Sequence, residues 1–141
     1  MQLSQLHRLA GKHGISVYRR PIPHCVSMSI PLGDTCAIAM DPSVCDGSRL
    51  ERTHLSHELG HCLTGSFYNA YSSHDLRRRH ENRADKWAVQ HLIPASALDQ
   101  AIASGHTEMW ELAEHFSVTE DFMRKAVCYH VHNNLATELY F

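Results

Sequence analysis

The chain has 141 residues, 43% of them hydrophobic and 20% charged, with a formal net charge of −2, which suits one domain with its own core and is too short for two large ones. No apolar run approaches the roughly eighteen residues of a membrane helix, and the polar start Met1-Gln2-Leu3-Ser4-Gln5 does not read as a signal peptide, so a cytoplasmic protein is expected. The charge gives no global basic footprint for nucleic acid, and five cysteines without C-x-x-C spacing (Cys25, Cys36, Cys45, Cys62, Cys128) predict reduced thiols, neither a disulfide framework nor a zinc knuckle.

Leu3, Leu6, Leu9 and Ala10 recur at helical spacing, and Gly11 and Gly14 should end that helix. Ile15 to Arg20 looks extended and is closed by Pro21 and Pro23. Val26, Met28 and Ile30 alternate, as do Cys36, Ile38 and Met40, with turn composition at 31–34 between them. The expectation is a small, mostly antiparallel sheet whose edge strand, Thr35 to Met40, either hydrogen-bonds an extended substrate or only supports the next helix. Asp46-Gly47 makes a turn, Ser48-Arg49-Leu50-Glu51 is a capping box, and the helix it opens should run to Thr64 with Gly65 as its stop.

That helix carries His57-Glu58-Leu59-Gly60-His61, an H-E-x-x-H pattern. At about 100° per residue, His57 and His61 fall within roughly 40° of each other, Glu58 sits on the flank, and Leu55, Leu59 and Cys62 take the opposite side. One side therefore packs in the core and the other can hold a divalent ion, Zn²⁺ by the preference of neutral imidazole nitrogens. His54, on the same side, reads as a hydrogen-bonded or solvated histidine and not as a ligand.

A long connection from Ser66 to His80 should rim the cleft, and Tyr68, Tyr71, His74 or His80 could donate to a developing oxyanion, with nothing in the sequence to choose among them. Arg77-Arg78-Arg79 with Arg83 reads as a solvated helix start. On the second helix, from about His80 to Leu92, Glu81 and Asp85 share a face with Ala84 and Ala88. Small residues there let the two helices approach, so that Glu81 completes a His, His, Glu set and Asp85 reaches the other ring nitrogen of a ligand histidine. Pro94 follows, then a short helix over 96–104, and then Met109, Leu112, Ala113 and Phe116 before the turn Ser117-Val118-Thr119 and a helix with Phe122, Ala126 and Tyr129. The run Glu111 to Thr119 looks like a helix-turn-helix. Its second helix offers only Arg124 and Lys125 against Glu120 and Asp121, which favours packing or substrate docking over specific DNA binding. Residues 133–141 carry no readable pattern.

H-E-L-G-H followed by E-N-R-A-D-K-W-A-V-Q-H-L-I-P, within residues 57–94, resembles the ImmA/IrrE metallopeptidases, whose second motif reads approximately E-x-x-A-N/D-x-x-A with L-L-M-P downstream. More broadly it is similar to the gluzincin arrangement of H-E-x-x-H with a downstream E-x-x-x-D. Asp85 stands where Asn is common, and His91-Leu92-Ile93-Pro94 replaces L-L-M-P; neither departure touches a ligand position. The resemblance implies a small intracellular zinc protease of prophage or mobile-element type that cleaves a helix-turn-helix repressor.

The expectation is thus an α+β, zincin-like minimal metallopeptidase: one domain over 1–141, with the core in 1–105, a helix-turn-helix-like extension in 106–132 and a tail in 133–141. One Zn²⁺ per chain would be held by His57, His61 and Glu81, with Glu58 taking a proton from water in the open position. The alternative is a non-catalytic regulator that contains zinc only as structure and binds DNA or a protein; Glu58 argues against it, because a structural site has no use for a base.

Overall fold

The computed structural model describes residues 1–139. It is α+β, with helices α1 (Leu3–Lys12), α2 (Arg49–Thr64), α3 (His74–Leu92), α4 (Ala95–Ala103), α5 (Met109–Phe116) and α6 (Glu120–His132), and strands β1 (Ser16–Arg19), β2 (Ser27–Leu32) and β3 (Thr35–Met40). No helix among the described residues is long and apolar enough to cross a membrane.

The sheet is mixed, where a mostly antiparallel one was expected. Its order is β1-β3-β2, with β1 parallel to β3 (Ser16 opposite Ala37) and β2 antiparallel to it (Ser27 opposite Met40, Leu32 opposite Thr35). Thr35–Met40 is therefore the central strand and not the edge. The chain leaves β1 through Pro21 and Pro23 and returns on the far side of β3, so β3 pairs on both sides, and its Cys36, Ala37, Ile38 and Met40 are all buried. Both edges belong to the outer strands: β1 runs beside α1, and β2 runs beside α2, the helix that carries the two histidines. The composition of β2 fits an edge: Pro31 lacks the N–H a central strand would need.

Directly paired residues share a face, so Ser27 and Ser29 look inward with Met40 and Ile38, while Met28 and Ile30 look outward with Ala39 and Ala37. The hydrophobic members of β2 are accordingly half-exposed, and its serines face α2.

Helix α2 begins as expected. Ser48 Oγ accepts from Leu50 N, and Gly65, in the left-handed region at φ 65°, ends the helix. Glu51 does not close the box on Ser48, however. Its carboxylate accepts from Gly47 N at 3.0 Å, and Asp46 accepts from Ser48 N. Leu55 and Leu59 pack into the core with Ile38, Met40, Val89 and Ile93.

The long connection shrinks. Helix α3 starts at His74 because Ser73 caps it, accepting from Leu76 N at 3.1 Å, with Asp75 in the first turn. His74, the three arginines and His80 are therefore helical. Two features join distant segments. Arg52 donates to the carbonyls of Met1, Phe116 and Ser117, tying α2 to the end of α5. Cys36 of β3 and Cys62 of α2 form a disulfide, Cα–Cα 5.8 Å, which corrects the expectation of five reduced thiols. Spacing could not show this pair, because the packing of α2 on the sheet brings together cysteines 26 positions apart. Of the tail, Tyr140 and Phe141 lie outside the described residues; 137–139 form a 3₁₀ turn beside α6.

Candidate metal centre

Helices α2 and α3 cross where Gly60 meets Ala84. A Cβ on Gly60 would stand 2.5 Å from the Ala84 carbonyl oxygen, so only glycine permits this approach. The close approach places one ligand-bearing turn of α3 over the two histidines of α2. His57 Nε2 lies 2.8 Å from Glu81 Oε2, His61 Nε2 lies 3.1 Å from Glu81 Oε1, and the two Nε2 atoms are 3.2 Å apart. One ligand atom from each of the three residues falls within 4.8 Å of the others, a set that can hold a metal ion.

The outer nitrogens decide the tautomers. His57 Nδ1–H donates to Asp85 Oδ1 at 2.7 Å, and His61 Nδ1–H donates to the Ser66 carbonyl at 2.5 Å. Gly65 makes the second contact possible by turning the chain sharply, so that buried Ser66 comes back under His61. Both Nε2 atoms are left facing the Glu81 carboxylate. Lone pairs and an anion converging in this way need a cation between them.

In the metal-free chain a proton supplies it. Burial would lower the His57 pKa, but its hydrogen bonds to Asp85 and Glu81 prevail and raise it to about 10. The same contacts hold the carboxyls down against burial: Glu81 falls well below the usual carboxylate range through His57 and His61, and Asp85 falls through His57 and then Lys125. The donor set, two imidazoles and a carboxylate with both imidazoles anchored behind, fits a divalent metal.

Glu58 stays out of the triad. Its carboxylate accepts from Ser27 Oγ at 2.7 Å, and Ser27 Oγ also lies 3.3 Å from His54 Nδ1. Burial lowers the His54 pKa, so at neutral pH it is an uncharged, hydrogen-bonded histidine. Two clefts flank the triad, and Glu58 and Glu81 line both. The larger, about 630 Å³, is walled by His57, Thr53, Phe122 and Lys125; the smaller, about 270 Å³, by His61, Ser29, Phe67 and Tyr68.

Of the four oxyanion candidates, Tyr68 reaches the site, donating to Glu81 Oε1 at 2.7 Å. Burial, then the Glu81 contact, pushes its pKa up to about 12, so it keeps its proton. Tyr71 is 97% exposed, and neither it nor His74 nor His80 lines either cleft. Sequence reading missed Ser27, Ser66 and Lys125. Gly65 after the helix signals the chain reversal at Ser66, whereas no local pattern points to the other two.

No curated protein and no solved structure matches the chain. A family model described as the IrrE N-terminal-like domain, a peptidase family, matches residues 44–127 and so takes in both helices of the triad, the cleft-facing end of α6 and every residue named above as a ligand or its anchor. Geometry and comparison agree on a peptidase-type site able to hold a metal ion, and the chain belongs to the IrrE N-terminal-like family.

Proposed function

We propose that the chain is a zinc-dependent endopeptidase acting as one domain over 1–141, with His57, His61 and Glu81 as ligands, Glu58 as general base and acid, and Asp85 holding the His57 ring. A site of nitrogen and carboxylate donors with room on both sides suits Zn²⁺ in a catalytic setting. The observation that carries the reading is the place of Glu58. It neighbours His57 in sequence yet lines the clefts on both sides of the triad without joining it.

When bound, the ion supplies Lewis acidity to the attacking water and the scissile carbonyl. Glu58 takes the proton of that water on its carboxylate and delivers it to the leaving amine, while Ser27 holds the other side of the carboxylate. Tyr68 has a protonated hydroxyl to offer the developing oxyanion. An extended substrate adds to the free edge of β2, whose Ser27 and Ser29 line the smaller cleft. The resemblance to ImmA/IrrE peptidases supports a helix-turn-helix repressor, cut at one or few sites in the cytoplasm, as the substrate.

The test is a time course of fragments from a repressor encoded beside the gene, with wild type and Glu58→Gln at equal zinc occupancy. The variant is expected to keep zinc and substrate binding and to cut about 10² to 10⁴-fold more slowly. Equal rates would remove Glu58 as the base. No cutting by wild type would favour the non-catalytic alternative.

A further inference from the structure

Helix α6 lies outside both metal-site motifs, yet it reaches the metal centre. Lys125 Nζ stands 3.1 Å from Asp85 Oδ2, and Asp85 Oδ1 stands 2.7 Å from His57 Nδ1. Asp85 is 5% exposed, so its carboxylate is held from both ends in a nearly dry place. We propose that Lys125 is a positioning residue of the metal centre: by anchoring Oδ2, it fixes the plane of the Asp85 carboxylate so that Oδ1 stays in line with His57 Nδ1–H and the Nε2 lone pair stays aimed at the ion. The inference rests on the metal-binding reading of His57, His61 and Glu81.

A salt bridge that only fastened α6 would look different. The helix is already docked by buried Phe122, Met123 and Ala126, by Gln90 Nε2 donating to Tyr129 Oη at 2.9 Å, and by Thr119 N donating to Thr53 Oγ1 at 3.2 Å. The Lys125 side chain is 40% exposed and its carboxylate partner only 7%, so the amine stays wet while the pairing bears on the buried end, Asp85. Its effect therefore falls on Asp85, whose other hydrogen bond is the one to His57 itself. Asp85 can turn about its Cβ–Cγ bond, and Lys125 stops it.

The test measures zinc affinity by chelator competition, together with metal-free melting temperature, in wild type, Lys125→Met, Lys125→Arg, Asp85→Ala and the double variant Asp85→Ala/Lys125→Met. Loss of a direct histidine partner commonly costs about 10 to 100-fold in affinity. Acting one contact further out, Lys125→Met is expected to lose roughly 3 to 10-fold, with little change in metal-free melting. Lys125→Arg should recover most of the loss, and Lys125→Met should add nothing once Asp85 is Ala. Unchanged or tighter zinc binding in Lys125→Met would overturn the inference, the latter because simple charge repulsion would then dominate. A loss that persists in the Asp85→Ala background, or one matched by collapse of the metal-free fold, would overturn it too. Absence of zinc binding by wild type would remove the metal reading itself, and this inference with it.

Discussion

His57 and His61 are anchored by different groups, and the difference sets how the site responds to pH. Behind His61 is a neutral carbonyl; behind His57 is a carboxylate, and in front of it another. The metal-free pKa of His57 near 10 exceeds its ordinary value of 6.5. A folded-state pKa above the unfolded one means that this proton stabilises the metal-free chain fully below about pH 6.5, and that the contribution fades as pH rises through 10. Metal-free melting temperature should thus fall over that interval, and a flat profile would contradict the pairing. Metal must displace the same proton, so calorimetry in buffers of different ionisation enthalpy should show about one proton released per zinc near neutrality. Zero release would mean that His57 is not a ligand. Asp85→Ala should weaken zinc by about 10 to 100-fold without abolishing it, because Asp85 orients a ligand and is not one. An unchanged affinity would take Asp85 out of the site.

At the scale of elements the metal centre is a helix crossing, and Gly60 is its contact point. Alanine there gains about 1 kcal/mol of helix propensity, but its Cβ would meet the Ala84 backbone, which cannot swing aside like a side chain. Overpacking of this kind typically costs about 1 to 3 kcal/mol, so Gly60→Ala should be destabilised in urea unfolding and should also bind zinc more weakly, since separating α2 from α3 separates Glu81 from the histidines. Gly11, in α1 with open space for 4 Å around the point where a Cβ would stand, is the control: alanine there should stabilise slightly. If both substitutions behave alike, the crossing does not depend on Gly60. The two motif helices were legible in sequence because helical spacing is local: His57 with His61, and Glu81 with Asp85, declare their faces within five residues. Strand order was not. Whether Thr35–Met40 is an edge depends on where β1 lands, and only Pro31 in β2 hinted at the answer. The start of α3 was missed for another reason: residues 74–83 are polar nearly all round and lack an apolar stripe, so only the Ser73 cap announced the helix. Cys36 with Cys62, Ser27 with Glu58, and Lys125 with Asp85 meet through packing over 26 to 40 positions, beyond any local pattern.

At the scale of the whole molecule the C-terminal pair of helices has the outline of a DNA-binding motif, with α5 and α6 joined by the turn Ser117-Val118-Thr119. The same shape serves here as one wall of the larger cleft, through Phe122 and Lys125. Recognition helices hold phosphates and base edges with free cations near their N-termini. On α6, Glu120 and Asp121 occupy the first turn, Arg124 pairs with both of them, at 3.6 and 2.9 Å, and Lys125 turns inward to Asp85. The neighbouring turn is also committed: Arg52 holds the carbonyls of Phe116 and Ser117, and Thr53 holds Thr119 N. Freeing Lys125 for a phosphate would unpair buried Asp85, and the net charge of −2 adds long-range repulsion. The isolated protein is therefore expected to show no sequence-specific affinity for duplex DNA, and any association at low salt should be weak and disappear steeply as salt rises, as purely electrostatic contact does. Fluorescence anisotropy with labelled duplexes, including the operator of the proposed repressor, measures this across a salt series. A shallow salt slope, or an operator bound far more tightly than a scrambled duplex, would show that α6 leaves Asp85 to reach DNA, and would cost the metal centre one of its supports.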